Sequence, residues 1–319
     1  MNEATATQPL PSAGSGLLPL ALCALAALGF ACPATATENG ACVFPVGVET
    51  VMTGMQPHPR TSLGYEYTAF YSANELDNAK GKSSVPEFKL RVFATAFKMT
   101  HNWGWRLLGG TVESELAVPL IYEQLHVPPG KFTKYSIANV DLVPLAIAYS
   151  RGDLHWYYEA DLFGPGAAYS ANDVLNVGQH NLALAPVAGF TYFPNKGATE
   201  MSSRFTYVVN GPDSATGYHS GNEFFWEYNA DRAFAHDKFS LGVNGAYYRQ
   251  TTDDKLKGLA YEGGYRGRDL QIGPQVRFPR GKHGGFAFKY YRDTMVENKP
   301  RGNALWFQIA IPLSFGRIG

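Results

Sequence analysis

Past its amino terminus this 319-residue chain lacks any long apolar run, and its mean hydropathy is −0.19. Each membrane-crossing helix needs about 20 apolar residues, so a bundle of transmembrane helices is excluded. A barrel of transmembrane strands is not, because alternating strands average out in a hydropathy profile. The chain also lacks a basic surplus: 27 Lys and Arg balance 27 Asp and Glu, which argues against nucleic acid as a partner. Its eight histidines show no metal-ligand spacing. No phosphate-binding loop and no glycine elbow around a serine are present. Neither a cofactor nor a metal is expected.

Cysteine is scarce, with three residues in all. The one apolar run, residues 17–31, is followed by Ala34, Thr35 and Ala36, a small-x-small cleavage pattern. Residues 1–36 therefore read as a secretory signal peptide, although Glu3 stands where a positive region is usual. Cys23 and Cys32 fall inside it, leaving Cys42 as a free thiol with no internal disulfide. Leu22, Gly29 and Asn39 spoil the lipoprotein pattern at the three cysteines in turn.

What the chain does have is alternation. In residues 223–231, EFFWEYNAD, one set is Glu223, Phe225, Glu227, Asn229 and Asp231, and the other is Phe224, Trp226, Tyr228 and Ala230. A strand sends such sets to opposite faces. The pattern recurs near residues 154–162, 200–209, 238–248, 269–278, 286–293 and 305–315. It is weaker at 65–71, 88–97, 105–120, 137–149 and 182–193. Together these predict about twelve strands.

The connections are more informative. Short ones are expected at 101–102, 151–152, 195–197, 233–237 and 280–282. Long ones are expected at 72–86, 122–135, 164–181, 211–222, 251–267 and 295–302. Strict alternation of long and short around an even strand count is the pattern of an outer-membrane barrel. A soluble sandwich has no reason to gather its long loops at one end. The predicted fold is all-β, a transmembrane antiparallel up-and-down barrel spanning residues 61–319, with its aromatic faces on lipid. Residues 37–60, which carry Pro45, Pro57 and Pro59, are either a plug in the lumen or a periplasmic lead. If they form a plug, Arg60 is expected to meet the acid-rich wall.

The lumen side then holds the acids Glu66, Glu113, Glu115, Asp141, Glu159, Asp161, Glu223, Glu227, Asp231, Asp269 and Asp293. It also holds the bases Arg204, Arg277 and Lys289. Tyr157, Phe225, Tyr248, Tyr291 and Trp306 face inward with them. Paired carboxylates such as Glu113/Glu115, Glu159/Asp161 and Glu223/Glu227 suit acid–base work, but a wet barrel interior uses the same pattern to hold water and ions. His219 and Ser220 read as loop residues, and Thr251 to Asp254 as a weak calcium site or a solvated loop. A narrow amphipathic lumen suits a small, partly apolar solute better than bulk ion flow.

Several stretches, in this order, are similar to the meta-pathway phenol degradation family of outer-membrane proteins. They are Glu38-Asn39-Gly40-Ala41, Pro45-Val46-Gly47-Val48-Glu49-Thr50, Gly54 and Pro57. Next come Asn139-Val140-Asp141, Asn176-Val177-Gly178 and Thr216-Gly217-Tyr218-His219-Ser220-Gly221. Gly245-Ala246-Tyr247-Tyr248-Arg249-Gln250-Thr251-Thr252-Asp253 and Ile272-Gly273-Pro274 complete the set. The resemblance implies an uptake role, beside aromatic degradation rather than catalysing it. The expected function is passive entry of small hydrophobic or aromatic compounds across a Gram-negative outer membrane. A barrel enzyme or a purely structural barrel is the alternative. Expected partners are that solute, outer-membrane lipid and the barrel-assembly machinery. Around Gly164-Pro165-Gly166 the usual threonine is missing, and the end at Gly319 runs past the usual terminal aromatic.

Overall fold

A computed structural model describes residues 42–128, 130–280 and 284–313. The expected signal peptide and the terminal residues past Leu313 lie outside the described residues. The chain forms strands β1 (Ser62–Leu76), β2 (Lys89–Leu107), β3 (Gly110–Val127), β4 (Gly130–Ile137), β5 (Asp141–Arg151), β6 (Leu154–Phe163), β7 (Ala183–Tyr192) and β8 (Thr199–Asn210). They are followed by β9 (Tyr218–His219), β10 (Glu223–Phe234), β11 (Phe239–Gln250), β12 (Lys255–Leu256), β13 (Leu259–Ala260), β14 (Arg268–Arg280), β15 (Gly284–Asp293) and β16 (Pro300–Leu313).

Neighbouring wall strands pair antiparallel, β1 pairs with both β2 and β16, and β2 pairs with β3, so the sheet closes on itself as a 12-strand barrel. Closure leaves no free edge, the condition for strands to cross a bilayer. β4 and β5 lie end to end along one side of β3: Leu120 to Val127 pair with β4, and Thr111 to Ala117 with β5. They act as one wall strand broken at residues 138–140. Asn139, from the predicted Asn-Val-Asp stretch, braces the break. Its Nδ2 donates to Gly164 O (2.7 Å), and its Oδ1 accepts from the Gln179 N–H (2.8 Å).

Two connections differ from expectation. The first short turn is not at 101–102 but at Leu108-Gly109, because β2 runs on to Leu107. His101 and Asn102 look like turn residues, yet the alternation continues through exposed Trp103 and Trp105. A bulge between Asn102 and Arg106 absorbs the mismatch. The expected loop at 122–135 is mostly a hairpin, in which Tyr122 pairs with Tyr135 and Val127 with Gly130. The remaining long connections, including 164–182, 211–222 and 251–267, do gather at one end. Within the last two, β9, β12 and β13 form a small sheet.

The two faces of the wall differ sharply. Large apolar side chains stand exposed on the outside, such as Phe70 (57%), Leu305 (58%) and Ile311 (53%), while Glu227 and Asp161 inside are fully buried at 0%. Water would penalise that outer surface, and hydrocarbon does not. The protein is an outer-membrane β-barrel. The 223–231 segment has the arrangement its alternation predicts: Phe225 and Glu227 are buried inside, and Trp226 is exposed outside.

Candidate functional site

Residues 42–60 run through the barrel interior, and the inward side chains of most wall strands converge on them. At the long-loop end the contact is apolar. Val43, Phe44 and Val48 are buried in one cluster with Tyr67, Phe163, Phe225, Tyr248, Tyr291 and Trp306. The Phe44 ring meets Phe225 edge-on at 5.4 Å, and the Arg204 guanidinium lies 4.9 Å from the Phe44 centroid. Lys299 Nζ sits 3.3 Å from Cys42 Sγ and 4.4 Å from the Tyr248 ring. Tyr248 in turn donates to Glu223 at 2.9 Å.

Below this cluster the contact is ionic. Glu49 pairs with Arg204 and, at 2.6 Å, with Lys98. Its backbone N–H donates to Glu227 at 3.0 Å. Lys98 also pairs with Glu115 at 2.5 Å, and Arg204 with Asp161 (2.7 Å) and Glu159 (3.3 Å). Lys289 Nζ donates to the carbonyls of Gly47 (3.0 Å) and Val48 (2.8 Å), while Tyr291 donates to Gly47 O at 3.1 Å. Gly47 has φ +85°, a conformation that turns these carbonyls toward the wall at little cost for glycine.

Toward the short-turn end the segment is held by its backbone. The Met52 N–H donates to Glu200 (2.6 Å), the Gly54 N–H to Thr191 Oγ1 (2.9 Å), and Asn102 Nδ2 to Pro57 O (3.1 Å). Thr53 and Tyr157 share a hydroxyl contact of 2.8 Å. Gly54 passes so close to the wall that a Cβ there would lie 2.5 Å from Thr191 N. Glu200 is bridged at 3.2 Å by Arg277, which also holds Asp231 at 3.1 Å.

Of the residues assigned inward from the sequence, Glu113, Glu115, Tyr157, Glu159, Asp161, Arg204, Glu223, Phe225, Glu227, Tyr248, Lys289, Tyr291 and Trp306 are buried in the interior. Asp141 and Arg277 are partly buried there. Glu66 is the correction. It lies on the outer face of β1, level with outward Phe97 in the register, and accepts from the hydroxyls of Thr68 and Thr95. The reason is packing. The opposite set on β1, Tyr65, Tyr67, Ala69 and Tyr71, is drawn inward by the apolar cluster around Phe44. Two threonine hydroxyls supply the polar partners that Glu66 then needs.

Arg60 is also differently placed. It is exposed, and its backbone N–H donates to Asn102 O at 2.8 Å. The charge that docks the segment is the acid Glu49, and its partners are bases. Lys98 and Glu200 were missed as site residues. A signal existed for Lys98: the set Ala94, Ala96, Lys98, Thr100 and Asn102 alternates with Phe93, Phe97, Met99 and Trp103.

The loop candidates have structural duties. His219 Nε2 donates to Asn210 O at 2.8 Å. Asp254 accepts from the Gly221 N–H (2.7 Å) and from Gln250 Nε2 (2.6 Å), bracing two loops. Among the described residues no group of His, Cys, Asp and Glu has a metal-holding arrangement. Several buried carboxylate oxygens inside, including Glu113 Oε2, Asp141 Oδ1 and Asp161 Oδ1, lack a hydrogen-bond partner among the described residues. Acids thus outnumber bases around the ionic layer.

Residues 73–309 match the family model described as "Putative MetA-pathway of phenol degradation". The chain belongs to this family. Among solved structures it is similar to an outer membrane channel from Pseudomonas putida F1, at 14% identity and a TM-score of 0.68, covering 85% of this chain and 99% of that one. It also aligns with the β domain of the Bordetella autotransporter BrkA, at 12% identity and a TM-score of 0.43, covering 80% of this chain and 100% of that one. No curated protein sequence matches the chain. The family match begins within β1, so residues 42–60 lie outside it and their contacts with the wall are read from this structure alone.

Proposed function

We propose that this family member is a channel for passive uptake of small hydrophobic or aromatic molecules, and that residues 42–60 close its lumen in the conformation seen here. The observation that carries this reading is the pairing of Val43, Phe44 and Val48 with an aromatic inner wall of Tyr67, Phe225, Tyr248, Tyr291 and Trp306. A wall that solvates a phenylalanine ring offers the same surface to an aromatic solute once the segment withdraws. The carboxylates and hydroxyls beside it suit a solute with one polar group, as phenols have. The family description points to the same chemical class.

In this reading the paired carboxylates hold the segment and do not perform chemistry. Glu115, Glu159 and Asp161 each face a base, Lys98 or Arg204, that also grips Glu49. They hold the bases that grip the docked chain, although acids remain in excess around them.

The test compares the full chain with a form lacking residues 38–57, both in proteoliposomes and in planar bilayers. Deletion should raise single-channel conductance and accelerate phenol influx more than influx of a sugar of similar size. Normal heat-modifiable gel mobility would show that the barrel still folds. Unchanged conductance in a folded deletion would remove the closing role. Equal acceleration of phenol and sugar would remove the aromatic preference. Turnover of an aromatic substrate, abolished by Glu159→Gln, would replace the channel with an enzyme.

A further inference from the structure

The outer wall formed by β15, β16, β1 and β2 carries a feature that transport through the lumen does not use. Strand register pairs Arg292 with Asn303, Asn303 with Ser72, and Ser72 with Arg91. The four stand side by side in one row on the outward face. Both arginines are exposed, and neither has a carboxylate partner among the described residues. The Arg91 guanidinium is held in place by Ala73 O (2.7 Å), Leu90 O (2.8 Å) and Asn74 Oδ1 (2.8 Å), all neutral acceptors that leave its charge uncancelled. Glu75, at the end of β1, faces Arg301 instead, at 3.9 Å.

The next outward row, one step toward the short turns, is Tyr290, Leu305, Phe70, Phe93 and Tyr122 in register order. These residues line an open groove whose floor includes Ser72 and Ala304. Tyr290 donates to Asn303 Oδ1 at 2.7 Å, so its hydroxyl points up to the polar row. Tyrosines with an apolar body below and a wet tip above mark the bilayer interface. Long loops face outside in such barrels, so this is the extracellular interface and the arginines sit at headgroup depth. The outer leaflet of a Gram-negative outer membrane is built of phosphorylated glycolipid. Arg91 and Arg292 are three strands apart, about 14 Å at the usual strand spacing. That separation matches two phosphates on one headgroup better than a single phosphate. Arginine is the residue suited to phosphate oxygens, through its fork of N–H donors.

We propose that this face binds a phosphorylated glycolipid of the lipid A class, with its phosphates on Arg91 and Arg292 and an acyl chain in the groove over Phe70 and Leu305. The site fastens one lipid to one side of the barrel, next to the β3–β4 hairpin.

The experiment measures binding of diphosphoryl lipid A to the purified full-length barrel in detergent, by native mass spectrometry. The wild type is compared with Arg91→Gln/Arg292→Gln and with Arg249→Gln, which removes an exposed outward arginine on β11. All variants are checked for heat-modifiable mobility. The double variant should bind about thirtyfold more weakly, as expected for losing two cations at an anionic lipid surface, and Arg249→Gln should bind as wild type. Monophosphoryl lipid A should bind the wild type more weakly than the diphosphoryl form. Equal binding by the double variant overturns the proposal, and so does an equal loss in Arg249→Gln. Displacement of the lipid by inorganic phosphate alone overturns the lipid-anchored reading. Lipid-free dimerisation that disappears in the double variant would make the occupant a second copy of the chain and overturn it as well.

Discussion

Glu49 and Arg204 form an ion pair inside the barrel, the acid on the N-terminal segment and the base on β8. Arg204 is 2% exposed and reaches Asp161 and Glu159 as well. One guanidinium therefore joins the segment to two wall strands. Removing one partner of such a pair strands the other charge, at a cost of about 3–5 kcal/mol. Glu49→Gln should loosen the segment while the barrel stays folded, seen as faster proteolysis near Met52 and flickering conductance. Arg204→Gln should be worse for folding yield, because it strands Asp161 and Glu159 together. Resistance of the Glu49→Gln segment to protease at wild-type rate would show that the ion pair is not what docks it.

Gly54→Val tests the close approach to β7. A Cβ at Gly54 would meet Thr191 N at 2.5 Å and His155 O at 2.6 Å, both backbone atoms that cannot swing away. Overpacking typically costs about 1–3 kcal/mol, and here the cheapest relief is for the segment to leave the wall. Conductance should rise without loss of the folded barrel. A closed channel in the folded variant would mean that residues 42–53 seal the lumen unaided.

The outer face should reject an added charge and tolerate the loss of one. Phe307→Arg places a cation on the lipid face of β16 and should cost about 2–4 kcal/mol if it lies near the bilayer midplane. Glu66→Leu, on the same outer face of β1, should be tolerated or stabilising, since it removes a carboxylate that needs two threonines to satisfy it. The measurement is the urea midpoint for folding into lipid vesicles. A large loss from Glu66→Leu would put Glu66 back inside the lumen.

Orientation is tested at the small sheet of β9, β12 and β13. Lys257 and Gly258 form an exposed turn between β12 and β13, both at positive φ. An epitope inserted there should be reached by antibody on intact cells. Labelling that requires a permeabilised outer membrane would invert the barrel.

Much of this fold was legible because the physics of a barrel wall is local. A residue on β10 or β16 is lipid-facing or inward according to its parity, so Trp226, Phe307, Glu227 and Trp306 could be placed from spacing alone. The errors fell where parity is not decided by polarity. On β1 both sets contain polar groups, and Glu66 went outward because its neighbours were needed against Phe44. On β2 the His101-Asn102 pair resembles a turn, but the Asn102 side chain is committed inward to Glu113 at 2.8 Å and Pro57. The run at 122–135 resembled a loop because strands that extend past the bilayer have no lipid face to make them alternate.

By itself the sequence determined an outer-membrane barrel: its strands, the parity of most of them, and the gathering of long loops at one end. All of these follow from a period of two and from the cost of exposing polar backbone to lipid. Only the tertiary structure decided what fills the lumen. Glu49 lies in a stretch with no periodicity, and its partners Lys98, Arg204 and Glu227 lie 49, 155 and 178 residues further along the chain. Nothing local in the sequence selects those partners. They meet because the barrel closes around the segment, and buried charges must find opposite charges or donors within reach once water is excluded.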